Sequence, residues 1–234
     1  MDAWTMGIVA VLVVGVAVIV FGALTDRRRN RKATAEMLSP PDRRIPRFAP
    51  DAPAPHYLSE LQARRRPSGS RSTDLAADDR SALARQLDEP GTIKIRAGML
   101  STDFVTDAPT GWAVLDQPYV LVCSDPVATV RELIAPLERV LPTGRPLLVV
   151  APSFAPEVKQ TLEVNAIQQT MGLLAVAVSD TDARRIATLT GATPLPRSDL
   201  QSGDVSLEVI GRCPRWVSTS EASFALAAEP RSQP

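Results

Sequence analysis

Three short runs of hydrophobic residues stand out in the second half of the chain, and each is bounded by polar residues. They cover 119–123, 147–151 and 173–178, and within each run the hydrophobic residues are continuous rather than alternating with polar ones. Continuous runs of this length are typical of strands that are buried on both faces of a parallel sheet. We therefore predict three parallel strands in the core of a folded domain.

The segment between the first two runs has the spacing of an amphipathic helix. Hydrophobic residues recur at intervals of three and four from Val130 to Leu141, and charged residues occupy the other side of the helical wheel. Asp125 followed by Pro126 is a typical helix start, and Gly144 is a typical stop. The pattern predicts one helix here.

Similar spacing predicts further helices over 156–169 and 181–189. Alternation of strands and helices indicates an α/β fold with right-handed crossovers. The flanking segments 92–114 and 205–226 have the short hydrophobic stretches and turn residues that are typical of β structure. We therefore expect a layered α/β domain.

The hydrophobic stretch near the start of the chain has a different character. From Met6 to Leu24 it runs for about 19 residues without a charge, which as a helix is enough to cross a hydrocarbon core of ~30 Å. Arginines follow from Arg27 onward, and the positive-inside rule places that flank in the cytoplasm. The alternative is a cleaved signal peptide, which would need its basic residues before the hydrophobic stretch. We predict a retained single-pass membrane anchor over 1–25, with the N-terminus outside and the rest of the chain cytoplasmic.

Differences in charge and in proline content divide the rest of the chain into a linker, a folded domain and a tail. Residues 26–88 are rich in Pro, Arg, Ser and Asp, which predicts a disordered linker, with short helices possible over 57–66 and 75–87. Its arginines either bind anionic lipid headgroups or act as a stop-transfer signal in a solvated linker. The folded domain is expected over 89–228, followed by a disordered tail over 229–234.

Few residues suggest catalysis. The one histidine, His56, lies in the linker, so the domain has no partner for a Ser-His or Cys-His pair. Cys123 and Cys213 match no metal-ligand spacing, and no glycine-rich phosphate loop is present. The domain is acidic and poor in aromatic residues, which disfavours nucleic-acid binding. We expect a protein that is not an enzyme and that uses no cofactor, metal ion or ATP.

Five short motifs follow one another along the chain. They are GMLSTDF from Gly98, PTG from Pro109, GRPLLVVA from Gly144, TLEVN from Thr161 and IATLTGAT from Ile186. In the same order they resemble G-Y-L-S-P-Y-F, P-E-T-G, G-K-P-L-L-I-I-A, T-L-V-V-N and I-A-T-L-T-G-G-T of the apical, substrate-binding domain of GroEL-type chaperonins. The resemblance covers about 89–226 and implies an apical-like layered β/α fold. Nothing resembles the family's equatorial ATPase domain.

In that family an apolar groove between two helices binds unfolded chains. The resemblance carries the groove positions over to six residues that are similar to the family's: Met99, Phe104, Ile134, Leu137, Val164 and Asn165. At three further groove positions this chain has charged residues where the family has apolar ones: Asp103, Lys159 and Glu163. These charges either weaken the capture of apolar chains or select a particular partner. The alternative is a vestigial groove in which Ile134 and Leu137 are core residues.

The resemblance and the anchor together predict a membrane-anchored, ATP-independent polypeptide-binding module on the cytoplasmic face. Its partner would be an unfolded chain or a protein segment. The alternative is a non-catalytic scaffold that binds dedicated membrane or envelope proteins through another face of the domain. The two differ in partner number, since a scaffold has one or two partners and a chaperone-like module has many.

Overall fold

The computed structural model describes Trp4 and residues 19–26, 59–67 and 74–226, and the chain divides into two units, Met1–His56 and Tyr57–Pro234. In the first unit, residues 19–26 are helical and the side chains of Ile19 and Phe21 are exposed. Most of the predicted membrane anchor, most of the linker and the tail lie outside the described residues. Over the described ranges, none of the helices has both the length and the hydrophobicity that a bilayer crossing requires.

The second unit has a mixed α/β fold. In chain order its elements are α1 (Glu60–Ala63), α2 (Ala77–Leu87), β1 (Ile93–Ile95), a 3-10 turn (Thr102–Phe104), β2 (Ala113–Asp116), β3 (Tyr119–Val122), α3 (Arg131–Val140), a second 3-10 turn (Leu141–Thr143), β4 (Leu147–Ala151), α4 (Pro156–Ile167), β5 (Leu173–Ala177), α5 (Asp180–Thr190), α6 (Arg197–Ser202), β6 (Gly211–Arg212), β7 (Arg215–Ser218) and β8 (Ser223–Leu226).

The first sheet has the strand order β5-β4-β3-β6 and forms the centre of the core. Strands β3, β4 and β5 are parallel to one another, and β6 pairs with β3 in the antiparallel sense. The residues of β3 and β4 are all buried, as are the first four of β5. The three strands predicted from continuous hydrophobic runs are confirmed, and their burial is that of strands covered on both faces.

The three predicted helices are present as α3, α4 and α5. Gly144 and Gly191 follow α3 and α5 with φ values of 68° and 70°, a left-handed conformation that glycine adopts at no steric cost. The predicted start of α3 at Asp125 and Pro126 is wrong, since the helix begins at Arg131. The chain from Val127 instead pairs with the segment before α4, which holds it extended.

Helix α6 was not expected from the sequence, and it packs against α3. The buried carboxylate of Glu132 on α3 accepts a hydrogen bond from the backbone N–H of Ala128 at 3.0 Å and lies 3.5 Å from Nε of Arg197 on α6. The same arginine's backbone N–H donates to Asp125 at 2.8 Å. Asp125 therefore caps α6 rather than α3.

The second sheet is antiparallel with the order β1-β8-β7-β2, in agreement with the β structure expected in both flanks. Helix α2 packs on this sheet through Leu83, which is buried against Val217 and Leu226. We predicted a linker over residues 26–88 with a possible short helix over 75–87, whereas the structure folds residues 77–87 onto the domain as α2. This packing could not be predicted from the sequence, because the partners of Leu83 lie more than 130 residues away along the chain.

A buried carboxylate fastens α2 to the loop that precedes β2. Asp107 accepts hydrogen bonds from Arg80 at 2.9 and 3.0 Å, from the backbone N–H of Leu75 at 2.9 Å and from the hydroxyl of Thr110. Its side chain is completely shielded from solvent. The Arg80 guanidinium, followed by the hydroxyl and backbone donors, holds the pKa of Asp107 well below its ordinary value and outweighs the cost of burial.

We expect the stability difference between the wild type and Asp107→Asn to depend on pH. The folded state lowers this pKa, so ionised Asp107 stabilises the fold above the unfolded-state value of about 4, and the contribution is lost as the pH falls toward the folded-state value. Urea unfolding followed by circular dichroism at about pH 6, 4 and 2.5 should show the wild type more stable at pH 6 and the difference shrinking below pH 4. A difference that stays constant over this range would contradict the assignment.

Candidate functional site

Helices α3 and α4 lie on the same face of the parallel sheet. The chain passes from β3 through α3 to β4 and from β4 through α4 to β5, so both crossovers move in the same direction across the sheet. Right-handed crossovers that move in the same direction place their helices on the same face. After β5 the chain passes through α5 and returns across the sheet in the opposite direction, because Leu195, which follows α5, forms a parallel bridge with Cys123 at the end of β3. Helix α5 therefore lies on the opposite face. The turn Thr102–Phe104 packs against α4 and the edge strand β5, which completes the site.

The structure divides the six predicted groove residues between the core and the surface. Met99 and Phe104 are buried in the main core cluster, and Leu137 packs against that cluster from its edge. Ile134 on α3 is 46% exposed. Val164 is partly buried on α4. Of the apolar positions, Ile134 is therefore the one most accessible to a ligand.

Asn165 has a local role in this structure. Its side-chain amide donates a hydrogen bond at 2.8 Å to the carbonyl of Thr161, one turn earlier on α4. An amide that is engaged in this way still offers its carbonyl oxygen and its second N–H to a ligand. Peptide binding at Asn165, and at the other five positions, stays a prediction.

The three charged residues at groove positions come together in space. Nζ of Lys159 lies 3.7 Å from Oε1 of Glu163, one helical turn along α4. Oδ2 of Asp103 and Oε2 of Glu163 each lie 4.0 Å from the same nitrogen, NH1 of Arg64. Only 9% of the Glu163 side chain is exposed, against 37% for Asp103. The charged residues therefore form one cluster, which we call the acidic cluster, with Arg64 between its two carboxylates.

Arg64 belongs to a segment of the chain, residues 59–67, that lies against the site. The side-chain amide of Gln168, just after α4, points at three backbone carbonyls of this segment: Gln62 at 3.1 Å, Ala63 at 2.8 Å and Arg65 at 2.9 Å. The guanidinium of Arg66 donates to the backbone carbonyl of Val105 at 3.3 Å. The site therefore holds a peptide segment, which is supplied by its own chain.

Part of this arrangement has a sequence signal. Ser59 and Gln62 form a reciprocal capping box, in which the hydroxyl accepts from the Gln62 backbone at 3.3 Å and the Gln62 side chain accepts from the Ser59 backbone at 2.9 Å. The spacing S-x-x-Q is readable in the sequence and marks the start of α1. Its docking on α4 is not readable, because Gln168 lies more than 100 residues away.

A cleft of about 510 Å³ adjoins the docked segment. Its lining combines polar groups from Arg66, Asp103 and Thr106 with apolar surface from Phe104, Ala166 and Met171. It opens beside the start of β5 and the end of α4. A mixed lining of this kind suits a peptide side chain better than a purely apolar ligand.

The two thiols are unsuited to nucleophilic chemistry. Burial raises the pKa of Cys123 to about 12, and the nearby charges of Glu132 and Asp125 contribute in the same direction. Burial also raises the pKa of Cys213 to about 11, although backbone hydrogen bonds with Arg215 and Leu226 partly oppose the shift. Both thiols are therefore protonated at neutral pH, and the thiolate is the reactive form.

No protein-family model matches the sequence. Among solved structures, the chain is similar to the chaperonin gp146 from the bacteriophage EL 2 (Pseudomonas aeruginosa), determined in the presence of ATP-BeFx. Crystal form II gives 16% identity and a TM-score of 0.48, over 60% of this chain and 29% of that chain. Crystal form I gives 18% identity and a TM-score of 0.49, over 62% of this chain and 29% of that chain. The chain thus spans less than a third of the length of gp146.

Proposed function

We propose that this protein is a membrane-anchored, ATP-independent polypeptide-binding module on the cytoplasmic face of the membrane. One observation carries the proposal: the face formed by α4 and the 102–105 turn holds residues 59–67 through backbone carbonyls and an arginine. A surface that accepts one peptide segment by its backbone has the chemistry to accept others. The chaperonin-like motifs in the sequence support the same function.

The apolar part of the face would add affinity for a bound chain. Ile134 is large and nearly half exposed, and it lies on α3, on the same face of the sheet as α4. Covering apolar surface contributes ~25 cal/mol per Å², so burying this one side chain stabilises a complex by about 1.5 kcal/mol. Backbone recognition by Gln168 and burial of Ile134 together describe a site for a polypeptide.

The membrane anchor is proposed from the sequence. The stretch from Met6 to Leu24 has no charge, and arginines follow it. Where this stretch is described, at residues 19–24, it is helical, and Ile19, Phe21 and Leu24 are largely exposed. Exposed apolar side chains on a helix suit a lipid environment. Labelling of Ser59 or of its neighbours in intact cells and in inverted vesicles would test the cytoplasmic orientation.

Ile134→Glu should weaken the binding of an unfolded protein by about tenfold. Loss of about 1.5 kcal/mol of apolar burial corresponds to this factor. The measurement is titration of a reduced, unfolded model protein with the soluble unit Tyr57–Pro234, carrying Arg64→Glu so that residues 59–67 do not compete.

The matched control is Leu189→Glu, a substitution at a side chain that is 41% exposed on α5, on the opposite face of the sheet. It should bind the unfolded protein as the unsubstituted unit does. If Ile134→Glu and Leu189→Glu bind equally well, the assignment of the face is wrong.

A scaffold with dedicated partners is the second candidate, and the exposed Leu189 on the opposite face favours it. Crosslinking in native membranes distinguishes the two functions. One or two stoichiometric partners that are lost with Leu189→Glu would favour the scaffold. Many crosslinked chains that are lost with Ile134→Glu would favour the polypeptide-binding module.

A further inference from the structure

We infer that the acidic cluster and Gln168 form a recognition site for an arginine-bearing helical turn, and that residues 59–67 occupy this site in cis until a partner segment of the same chemistry displaces them. The inference rests on the proposed function, because it identifies the ligand class and the regulation of the same face. Its support comes from the charges, the hydrogen bonds and the exposure of the docked segment.

The charges favour a basic ligand. Asp103 and Glu163 converge on one guanidinium nitrogen of Arg64, each at 4.0 Å. Because Glu163 is almost fully shielded, its carboxylate gains more from a nearby cation than a solvated carboxylate would. Lys159, at 3.7 Å, neutralises only part of this cluster. Two carboxylates and one lysine leave one negative charge uncompensated, and one positively charged side chain of a ligand would neutralise it.

The hydrogen bonds favour the C-terminal end of a helical turn. The last carbonyls of a helix have no partner within the helix, and the Gln168 amide points at those of Gln62 and Ala63 at the end of α1. An amide nitrogen has two hydrogens, so it serves two such carbonyls at a time and shares them with the third, that of Arg65. An extended peptide would not present three carbonyls to one donor.

The apolar side chain of the segment takes no part in docking. Leu61 on α1 is 87% exposed, so the contact is polar rather than a capture of apolar surface. This separates the acidic cluster from the surface around Ile134. It also gives the two acidic departures from the chaperonin pattern, Asp103 and Glu163, one common purpose, which is selection of a basic segment.

The contact is loose enough to be exchanged. Close charge-assisted hydrogen bonds measure 2.7–2.9 Å, whereas both pairs with Arg64 are at 4.0 Å. A helix of four residues is far too short to be stable alone, so α1 depends on its docking. Only six residues connect Pro67 to Asp74, and a short connection gives an effective concentration of about 1 mM. A weak contact can thus fill the site in cis and still yield to a partner.

The test uses the full chain in nanodiscs of zwitterionic lipid and a fluorescent peptide with the sequence of residues 59–67, followed by anisotropy. We expect weak binding to the wild type, because its own segment competes. Arg64→Glu in the chain should release that segment and tighten peptide binding by about tenfold, as expected for a site that is about 90% occupied in cis. Adding Glu163→Gln to this variant should abolish the gain.

Two controls separate this result from a general charge effect. Arg96→Glu makes the same charge change at an exposed residue between β1 and the turn, and it should bind the peptide as the wild type does. A peptide carrying Arg64→Glu should not bind any variant. If Arg64→Glu and Arg96→Glu tighten binding equally, or if neither does, the occupancy in cis is overturned.

Failure of this inference is distinguishable from failure of the proposed function. If the peptide binds no variant while an unfolded protein still binds in a manner that depends on Ile134, the recognition of a basic turn is wrong and the polypeptide-binding function stands. If neither ligand binds, both are wrong. As a second measurement, Arg64→Glu, which releases residues 59–67, should also tighten unfolded-protein binding to the full chain.

Discussion

A fragment that begins at Glu89 is expected to be at least about 3 kcal/mol less stable than the unit that begins at Tyr57. Removing α2 removes Leu83 from its site against Val217 and Leu226, and loss of a buried leucine costs about 2–5 kcal/mol. It also leaves the shielded carboxylate of Asp107 without its guanidinium partner, which adds to the loss. For a domain of this size the melting temperature should fall by about 10 °C.

The measurement is thermal unfolding by circular dichroism of fragments that differ only in their start. A fragment from Asp74 keeps α2 and lacks α1, and it is the matched control. It should melt close to the Tyr57 fragment, because α1 is attached mainly by polar contacts near the surface, which contribute little to stability. Equal melting temperatures for the Glu89 and Asp74 fragments would show that α2 is not part of the folded domain.

Gly98→Ala is expected to destabilise the domain by about 3 kcal/mol or more, as overpacking against a fixed backbone does. A Cβ at this position would lie 2.2 Å from the carbonyl oxygen of Ser220 and 2.6 Å from the backbone nitrogen of Glu221. These atoms belong to the turn between β7 and β8, which is held by the bond from the Met99 N–H to the Thr219 carbonyl at 2.8 Å. The turn cannot move away without breaking that bond.

Gly91→Ala is the matched control for this substitution. A Cβ at Gly91 would meet no atom within 4 Å, so the free energy of unfolding should change by no more than about 0.5 kcal/mol. Urea unfolding of both variants at neutral pH measures the difference. A Gly98→Ala variant as stable as Gly91→Ala would mean that the β7–β8 turn adapts at little cost.

The parallel sheet and its helices could be predicted from the sequence because their signals are local. A strand buried on both faces has to be apolar at every position, as Leu147–Ala151 is. A helix on one face of a sheet has to repeat its apolar residues every three or four positions, as α3 does. Glycines with positive φ end the 3-10 turn after α3 and end α5, because glycine adopts this conformation at no steric cost.

The start of α3 could not be predicted, because a tertiary contact decides it. Asp125 and Pro126 have the chemistry of a helix start, but the chain after them pairs with the segment before α4. The Asp125 carboxylate then caps α6 instead. A local preference worth about 1 kcal/mol gives way to backbone hydrogen bonds between distant segments.

The amino-acid sequence by itself determined the α/β class, the three buried strands, the helices between them and the residue types at the groove positions. Tertiary structure alone decided that α2 belongs to the domain, that Asp107 is buried, and that Asp103, Lys159 and Glu163 meet around Arg64. Burial and periodicity act over one or two turns of chain and leave a mark in the sequence. The ion pairs of Asp107 and Arg64 and the hydrogen bonds of Gln168 join residues 27 to 106 positions apart, and no local pattern records which distant group will be the partner.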